Sequence, residues 1–221
     1  MPLRPVTTWT LEMTERPHIT STTTCDSTPA GDATDVASGP RDGVASRAED
    51  VRIDLVPNVS PEFARYLYAV VGGPWTWTDR LGWTREQWRA DLGVTGTETY
   101  VAYVDGEPAG YVQIQPTPVG AAEARGRASV EIRYFGLVES TIGRGLGRML
   151  LTHGIDAAWT LDERHAVPAT QRVWVHTCSL DGPAALRNYE RRGFVIVDET
   201  TDLMNYPEQP LGAWRSAGGP A

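Results

Sequence analysis

The chain has 221 residues and a formal net charge of −8, with 20 basic residues against 28 acidic ones. That length allows one sizeable core, and the charge excludes a partner held mainly through phosphate neutralisation, so no nucleic-acid partner is expected. Every basic residue is arginine, which reads as codon bias in a GC-rich bacterial genome. Cys25 and Cys178 are too few for a disulfide framework or a four-cysteine metal site, and no apolar run approaches 18 residues. A cytoplasmic protein with no bound metal and no membrane partner is expected.

Residues 1–50 hold four arginines against eight acidic residues, and Thr20 to Ala48 is small and polar throughout. Such a stretch buries too little surface to offset its ordering entropy, so 1–50 is expected to be a disordered leader, and deletion of residues 1–48 is expected barely to change the melting temperature. Trp9, Leu11 and Met13 ahead of that stretch are candidates to dock on the domain. From Val51 the texture changes. VRIDLV alternates as a strand does, and Ser60-Pro61-Glu62 opens a helix with Phe63, Tyr66, Leu67 and Val70 at helical spacing. Gly72-Gly73-Pro74 ends it, and Thr84 with Gln87 forms the start of a second, short helix carrying Trp88. Thr97 to Val104 and Pro108 to Gln115 read as strands joined by Asp105-Gly106, and Ala128 to Val138 is the next strand. Arg144 to Leu161 sets Leu146, Met149, Leu150, Ala157 and Leu161 on one side of a helix. A strand over 172–178, a helix from Asp181 to Arg192 stopped by Gly193, and a strand from Phe194 to Glu199 complete one α/β domain over 51–205, with a tail from 206 to 221.

Ile142-Gly143-Arg144-Gly145-Leu146-Gly147-Arg148 stands between a strand and an amphipathic helix, where backbone N–H groups and a helix N-terminus can surround a pyrophosphate. No GK[ST] follows, and Met149 and Leu150 stand where the dinucleotide fingerprint needs its last glycine. These residues resemble the GNAT superfamily of acyl-CoA-dependent N-acetyltransferases, whose phosphate-binding motif is Q/R-x-x-G-x-G/A. Gly145 and Gly147 match its small positions, while Ile142 departs from the Gln or Arg. Ala185 to Phe194 resembles a second family segment, A-x-x-x-Y-x-x-x-G-F, with Gly182 where the family has an upstream Asn. The resemblance covers most of 51–200. It implies a single domain built on a central mixed, mostly antiparallel sheet flanked by helices, with acetyl-CoA as co-substrate.

Acetyl transfer to an amine needs a base, a polarised carbonyl and a proton for the departing thiolate. The resemblance assigns Tyr189 as the acid. Glu131, spaced from Gly145 as in the histone-acetylating branch, is the first candidate base. Alternation puts it on one face with Arg133, Phe135 and Leu137, where desolvation would raise its pKa. An ion pair with Arg133 or Arg172 is its structural alternative. His176, alternating with Trp174 and Cys178, is the second base. A core role is the alternative for Tyr189, and a small buried thiol is the reading for Cys178. The resemblance also implies pantetheine contacts along Phe135 to Val138, with the Leu137 amide polarising the acetyl carbonyl. Pyrophosphate contacts would come from Ile142, Gly143, Arg144, Gly145, Leu146, Gly147 and Arg148.

The segment GGPWTWTDRLGWTREQW falls where the family places its acceptor lid. Trp75 and Trp77 would wall the acceptor and Asp79 would anchor its ammonium, although at least two of Trp75, Trp77, Trp83 and Trp88 are expected in the core. The expected reaction is acetylation of a small-molecule primary amine by direct transfer. The alternatives are a protein lysine or N-terminal acceptor, and a non-catalytic acyl-CoA-binding module. The apolar residues of 200–216 offer a homodimer interface.

Overall fold

Residues 3–17, 50–118 and 120–206 are described by the computed structural model. Eleven regular elements follow in chain order: strands β1 (Arg4–Met13) and β2 (Val51–Leu55), helices α1 (Pro61–Gly72) and α2 (Arg85–Leu92), and strands β3 (Glu98–Val104), β4 (Glu107–Pro116) and β5 (Ser129–Leu137). Helix α3 (Leu146–Trp159), strand β6 (Arg172–Cys178), helix α4 (Ala185–Glu190) and strand β7 (Val195–Met204) complete them. The seven strands form one sheet in the order β2-β3-β4-β5-β6-β1-β7. Only β5 and β6 run parallel, as the crossover through α3 requires.

Local chemistry explains most of these elements. Ser60 accepts from the Phe63 N–H and Pro61 opens α1, while Thr84 and Gln87 close a reciprocal capping box on α2. Asp105 and Gly106 both adopt positive φ, at 50° and 90°, which makes the tight turn between β3 and β4. One sheet face carries Tyr100, Val112, Ile114, Val130, Ile132 and Val175 against Leu150, Leu151 and Ile155 of α3 and against Tyr189 of α4. The other face carries Val101, Tyr111 and Tyr134 against Leu67, Tyr68 and Val71 of α1 and Trp88 of α2. Met149 departs from the expected apolar side of α3 and is half exposed, its place in the core taken by Leu151 and Ile155.

The N-terminus corrects the leader expectation. Arg4–Met13, expected within it, is a strand inserted between β6 and β7 and antiparallel to both. Its odd-numbered side chains Leu11 and Met13 enter the α3-side core, with Trp9 packed at its margin, and Leu11 is fully buried. The physical reason is the period-two pattern of Trp9, Leu11 and Met13, whose strand partners on β6 lie 160 residues or more away. The polar stretch 20–48 lies outside the described residues, as does the tail beyond 206 except for Tyr206 itself. β7 extends to Met204, past the expected end at Glu199, because β1 supplies a partner over its whole length. α4 begins later than expected, at Ala185, because the Asp181 carboxylate caps the preceding turn and Pro183 follows Gly182. None of the described helices is long and apolar enough to cross a membrane.

Glu98 at the start of β3 is buried with Arg164 across it in a two-pronged pair at 2.8 Å, while Tyr100 Oη and His165 Nε2 lie 2.7 and 2.9 Å away. Burial by itself would raise its carboxyl, but these partners hold it below the usual range. Its contribution is therefore present above the unfolded carboxylate's range and is lost as pH falls through the lower folded value.

Two stability measurements follow. Leu11→Ala is expected to cost about 2–5 kcal/mol in denaturant unfolding, and removal of residues 1–13 to abolish the cooperative transition. Glu98→Gln is expected to cost about 1–3 kcal/mol at pH 7, a deficit that closes below about pH 4 in melts run as a pH series.

Candidate active site

β5 and β6 pair for only three residues, Ser129 to Glu131 against Arg172 to Trp174, and then diverge. From Ile132 onward the β5 edge facing β6 has no strand beside it, and a cavity of about 500 Å³ opens in the gap. Arg133 is an extra residue in β5, since Tyr134 pairs with Gln113 and Ile132 with Ile114. This bulge breaks the expected alternation. Glu131 and Tyr134 share the α1-side face, while Phe135 and Leu137 pack on the opposite side, against the core below α3. Glu131 therefore does not share a face with Phe135 and Leu137.

At the cofactor end, Leu137, Ile142 and Gly147 line the cavity. Thr141 donates to the carbonyls of Ala109 and Val138 at 2.8 Å, and the Val138 N–H donates to Ala109 O, which pins the strand end before the glycine turn. Gly143 and Gly145 hold φ of +87° and +82°, a region unfavourable for other residues, and nothing stands within 4 Å of where a Cβ would lie at either. Gly145 caps α3 without any side-chain acceptor, so the first N–H groups of the helix, from Leu146 on, are not capped by a side chain. Arg144 and Arg148 are exposed at the same turn. An open glycine cradle, an uncapped helix start and an unpaired strand edge fit the pyrophosphate and the amide-bearing pantetheine arm of an acyl-CoA.

Tyr189 of α4 is buried beside Phe135, 6.1 Å between ring centroids, and lines the cavity. Burial pushes its phenol well above the ordinary value, so it stays protonated. Across the gap, His176 Nδ1 lies 3.2 Å from Glu131 Oε1, and Arg133 donates to Glu131 Oε2 at 3.1 Å and to Asp91 at 2.6 Å. Burial would raise the Glu131 carboxyl, but the hydrogen bond and charge of His176, with Arg133, hold it below the usual range. The direction is opposite to that expected from desolvation alone, because the alternative ion pair with Arg133 is present and His176 adds a hydrogen bond from the neighbouring strand. His176 is half exposed and lines the cavity, whereas Glu131 stands behind it. Burial and the nearby Asp181 raise the Cys178 thiol, which keeps it neutral and inert.

Trp75, Trp77 and Asp79 also line the cavity, together with Tyr68, Arg80 and Tyr134. Trp88 is fully core, and Trp83 packs edge-on against it at 5.4 Å. Several wall residues were not anticipated. Asp181 accepts from the Trp77 indole at 3.2 Å, from Thr177 at 2.6 Å and from the Cys178 N–H at 3.0 Å, and so fixes one wall. Trp75 packs where a Cβ on Gly182 would stand, 3.0 Å away. Asp79 accepts from Tyr206 at 3.0 Å, and Val6, Thr8 and Met204 close the far side. Only Asp181, beside the second motif, left a signal in the sequence. Among the described residues no group of three or more His, Cys, Asp or Glu side chains converges as metal ligands.

A family model described as the acetyltransferase (GNAT) family matches residues 61–194. No curated relative matches the sequence. Among solved structures, a protein assigned to the GNAT family from Novosphingobium aromaticivorans is 16% identical with a TM-score of 0.49, over 91% of this chain and 64% of that one. A GCN5-related N-acetyltransferase from Kribbella flavida is 17% identical with a TM-score of 0.47, over 90% of this chain and 58% of that one. The protein PH1933 from Pyrococcus horikoshii is 18% identical with a TM-score of 0.49, over 71% of this chain and 99% of that one. The chain thus spans under two thirds of the length of the first two.

Replacing Asp181 with Ala strands three donors. It is expected to lower stability by about 1–3 kcal/mol and to shift the indole emission of Trp77, read by thermal melts and fluorescence.

Proposed function

Because the chain belongs to the GNAT acetyltransferase family, we propose that it moves the acetyl group of acetyl-CoA directly onto the primary amine of a small molecule, in the cytoplasm. One observation carries this reading: a single cavity is lined by Ile142 and Gly147, which flank the glycine turn, and by Tyr189 and His176. The co-substrate supplies an activated acetyl thioester, so that a C–N bond forms as the C–S bond breaks. The residues of the chain divide the proton work between them.

His176 is the base in this reading, and Glu131 is a positioning residue behind it. With Nδ1–H held on Glu131 Oε1, Nε2 of His176 is left as the acceptor for the proton of the incoming ammonium. A carboxylate held below its usual range stays anionic and supports the imidazolium that forms. The Leu137 amide lies at the unpaired end of β5 and donates to the thioester carbonyl oxygen. Tyr189, kept protonated by burial, returns a proton to the sulfur. The aromatic walls Trp75 and Trp77 exclude water and receive the body of the amine, with Asp79 at the rim.

Calorimetric titration of acetyl-CoA, followed by a thiol-release assay over amines, tests the reading. Binding together with release for a small amine is expected, and absence of binding would overturn it. Tyr189→Phe is expected to lower kcat roughly 10- to 100-fold with acetyl-CoA affinity unchanged. Glu131→Gln is expected to lower kcat less than His176→Gln does and to alter the shape of the pH–rate profile. An unaltered profile would remove Glu131 from its positioning role.

A further inference from the structure

We infer that Arg80 makes the acceptor end of this cavity selective for an amine that also carries a carboxylate, an amino acid or a similar zwitterion. The inference rests on the amine-transfer reading above. Two arginines, Arg80 and Arg133, line the cavity. The charge of Arg133 is already matched, by Asp91 at 2.6 Å and Glu131 at 3.1 Å. Arg80 has no such counter-ion. Its Nε–H donates to the Tyr134 hydroxyl, and its guanidinium lies over the Trp83 ring, 4.2 Å from the centroid. Among the described residues no carboxylate pairs with it. The adjacent Asp79 turns to Tyr206 instead. Tyr134 does not serve as a counter-ion either, because burial pushes its phenol up to about 12 despite the nearby Arg80 and Arg133.

The contacts of Arg80 leave a particular part of it available. Tyr134 engages Nε, and the Trp83 ring supports the guanidinium from one side, so the group is held in place without either terminal nitrogen donating to a described residue. A guanidinium oriented in this way, with its terminal nitrogens unspent, matches a carboxylate in two-pronged fashion. A partly buried cation costs solvation free energy, and an anionic ligand group offsets that cost only when it is bound.

The position agrees with the chemistry. Tyr134 lies two residues before Gly136 on the same face of β5, about 7 Å along the strand, and Gly136 and Leu137 bound the thioester end. A carboxylate on Arg80 therefore leaves the rest of the molecule to extend along β5 toward Gly136 and Leu137, within the cavity that Tyr189 and His176 also line. The cavity lining carries two arginines and the two carboxylates Asp79 and Asp181, a balance that suits a ligand with one charge of each sign. The alternative use of Arg80, binding a phosphate of the co-substrate, is not favoured by its contacts, since Tyr134 and Trp83 belong to β5 and to the α1–α2 connection and not to the glycine turn.

The test compares matched acceptors on the full-length protein at saturating acetyl-CoA: L-amino acids against their methyl esters and carboxamides, read by thiol release. Esters and amides have less basic amines, which favours them intrinsically, so a preference for the free acid reports recognition of the carboxylate. The expected result is a kcat/KM at least tenfold higher for the free acid of an accepted amino acid. Arg80→Gln should lower the free-acid value roughly 10- to 100-fold, the ester value far less, and the acetyl-CoA Kd not at all, with Arg80→Lys intermediate. Equal turnover of acid and ester by the unmodified protein would overturn the inference, and that comparison needs no variant to fold. A weakened acetyl-CoA Kd in Arg80→Gln with unchanged acid-to-ester preference would also overturn it, placing Arg80 on the cofactor side. Acetyl-CoA binding with no thiol release from any amine would instead overturn the amine-transfer reading, and the inference with it.

Discussion

The whole site depends on two parallel strands that part after three paired residues. A β-strand edge presents a backbone donor or acceptor at each residue, and those groups need partners when water is excluded. β5 loses its neighbour at Ile132, so the edge from there to Leu137 is met by solvent or by something peptide-like laid alongside. The bulge at Arg133 sits at the point of divergence and twists the strand away. Glu131 occupies the last paired position, and its carboxylate reaches His176 on one strand and Arg133 on the other. The charge cluster thus marks the vertex of the gap.

The far wall of that gap comes from the opposite end of the chain. β7 pairs only with β1, and β1 in turn with β6, so Met204 and Tyr206 hold their places through a strand laid down at residues 4–13. Thr8 lies opposite Cys178 on one side and Thr200 on the other, which brings three distant segments to one cavity wall. The family match begins at residue 61 and ends at 194, so the parts of this wall that come from β1 and β7 lie outside it, while Cys178 lies within it. The segment shared with the family builds the vertex, the glycine turn and Tyr189. The chain's own ends shape what enters opposite them, and anything that frays β1 changes the pocket as well as the core.

What the sequence disclosed follows from the range of the forces involved. The caps at Ser60 and Thr84, the turn at Asp105-Gly106 and the glycine stop at Gly193 are decided within four residues, and all are present. β1 escaped because its pattern is short and its partners lie across the chain, with the polar stretch from 20 to 48 in between. The bulge escaped for a different reason: an extra residue has no compositional signature, yet it reverses every side chain beyond it. That reversal put Glu131 beside Tyr134 and away from Phe135. The expected rise in its pKa failed in sign because the alternative reading, an ion pair with Arg133, is the one present, and His176 adds a second partner that is visible only in three dimensions.

Charge at the two ends of the cavity also has a short-range logic. A chain of −8 repels an anionic co-substrate at long range, but screening confines that repulsion to about 8 Å at physiological ionic strength. Inside that distance the local groups decide, and at the glycine turn these are backbone N–H dipoles with Arg144 and Arg148 close by. Fixed dipoles need no reorganisation when the anion arrives, and they do not depend on the missing Gln or Arg at Ile142. Around Arg80 the same principle operates with side chains. Aromatic rings beside Arg80 displace water from it, so that a guanidinium with no carboxylate partner among the described residues acts more strongly on its surroundings than a solvated charge does on the surface.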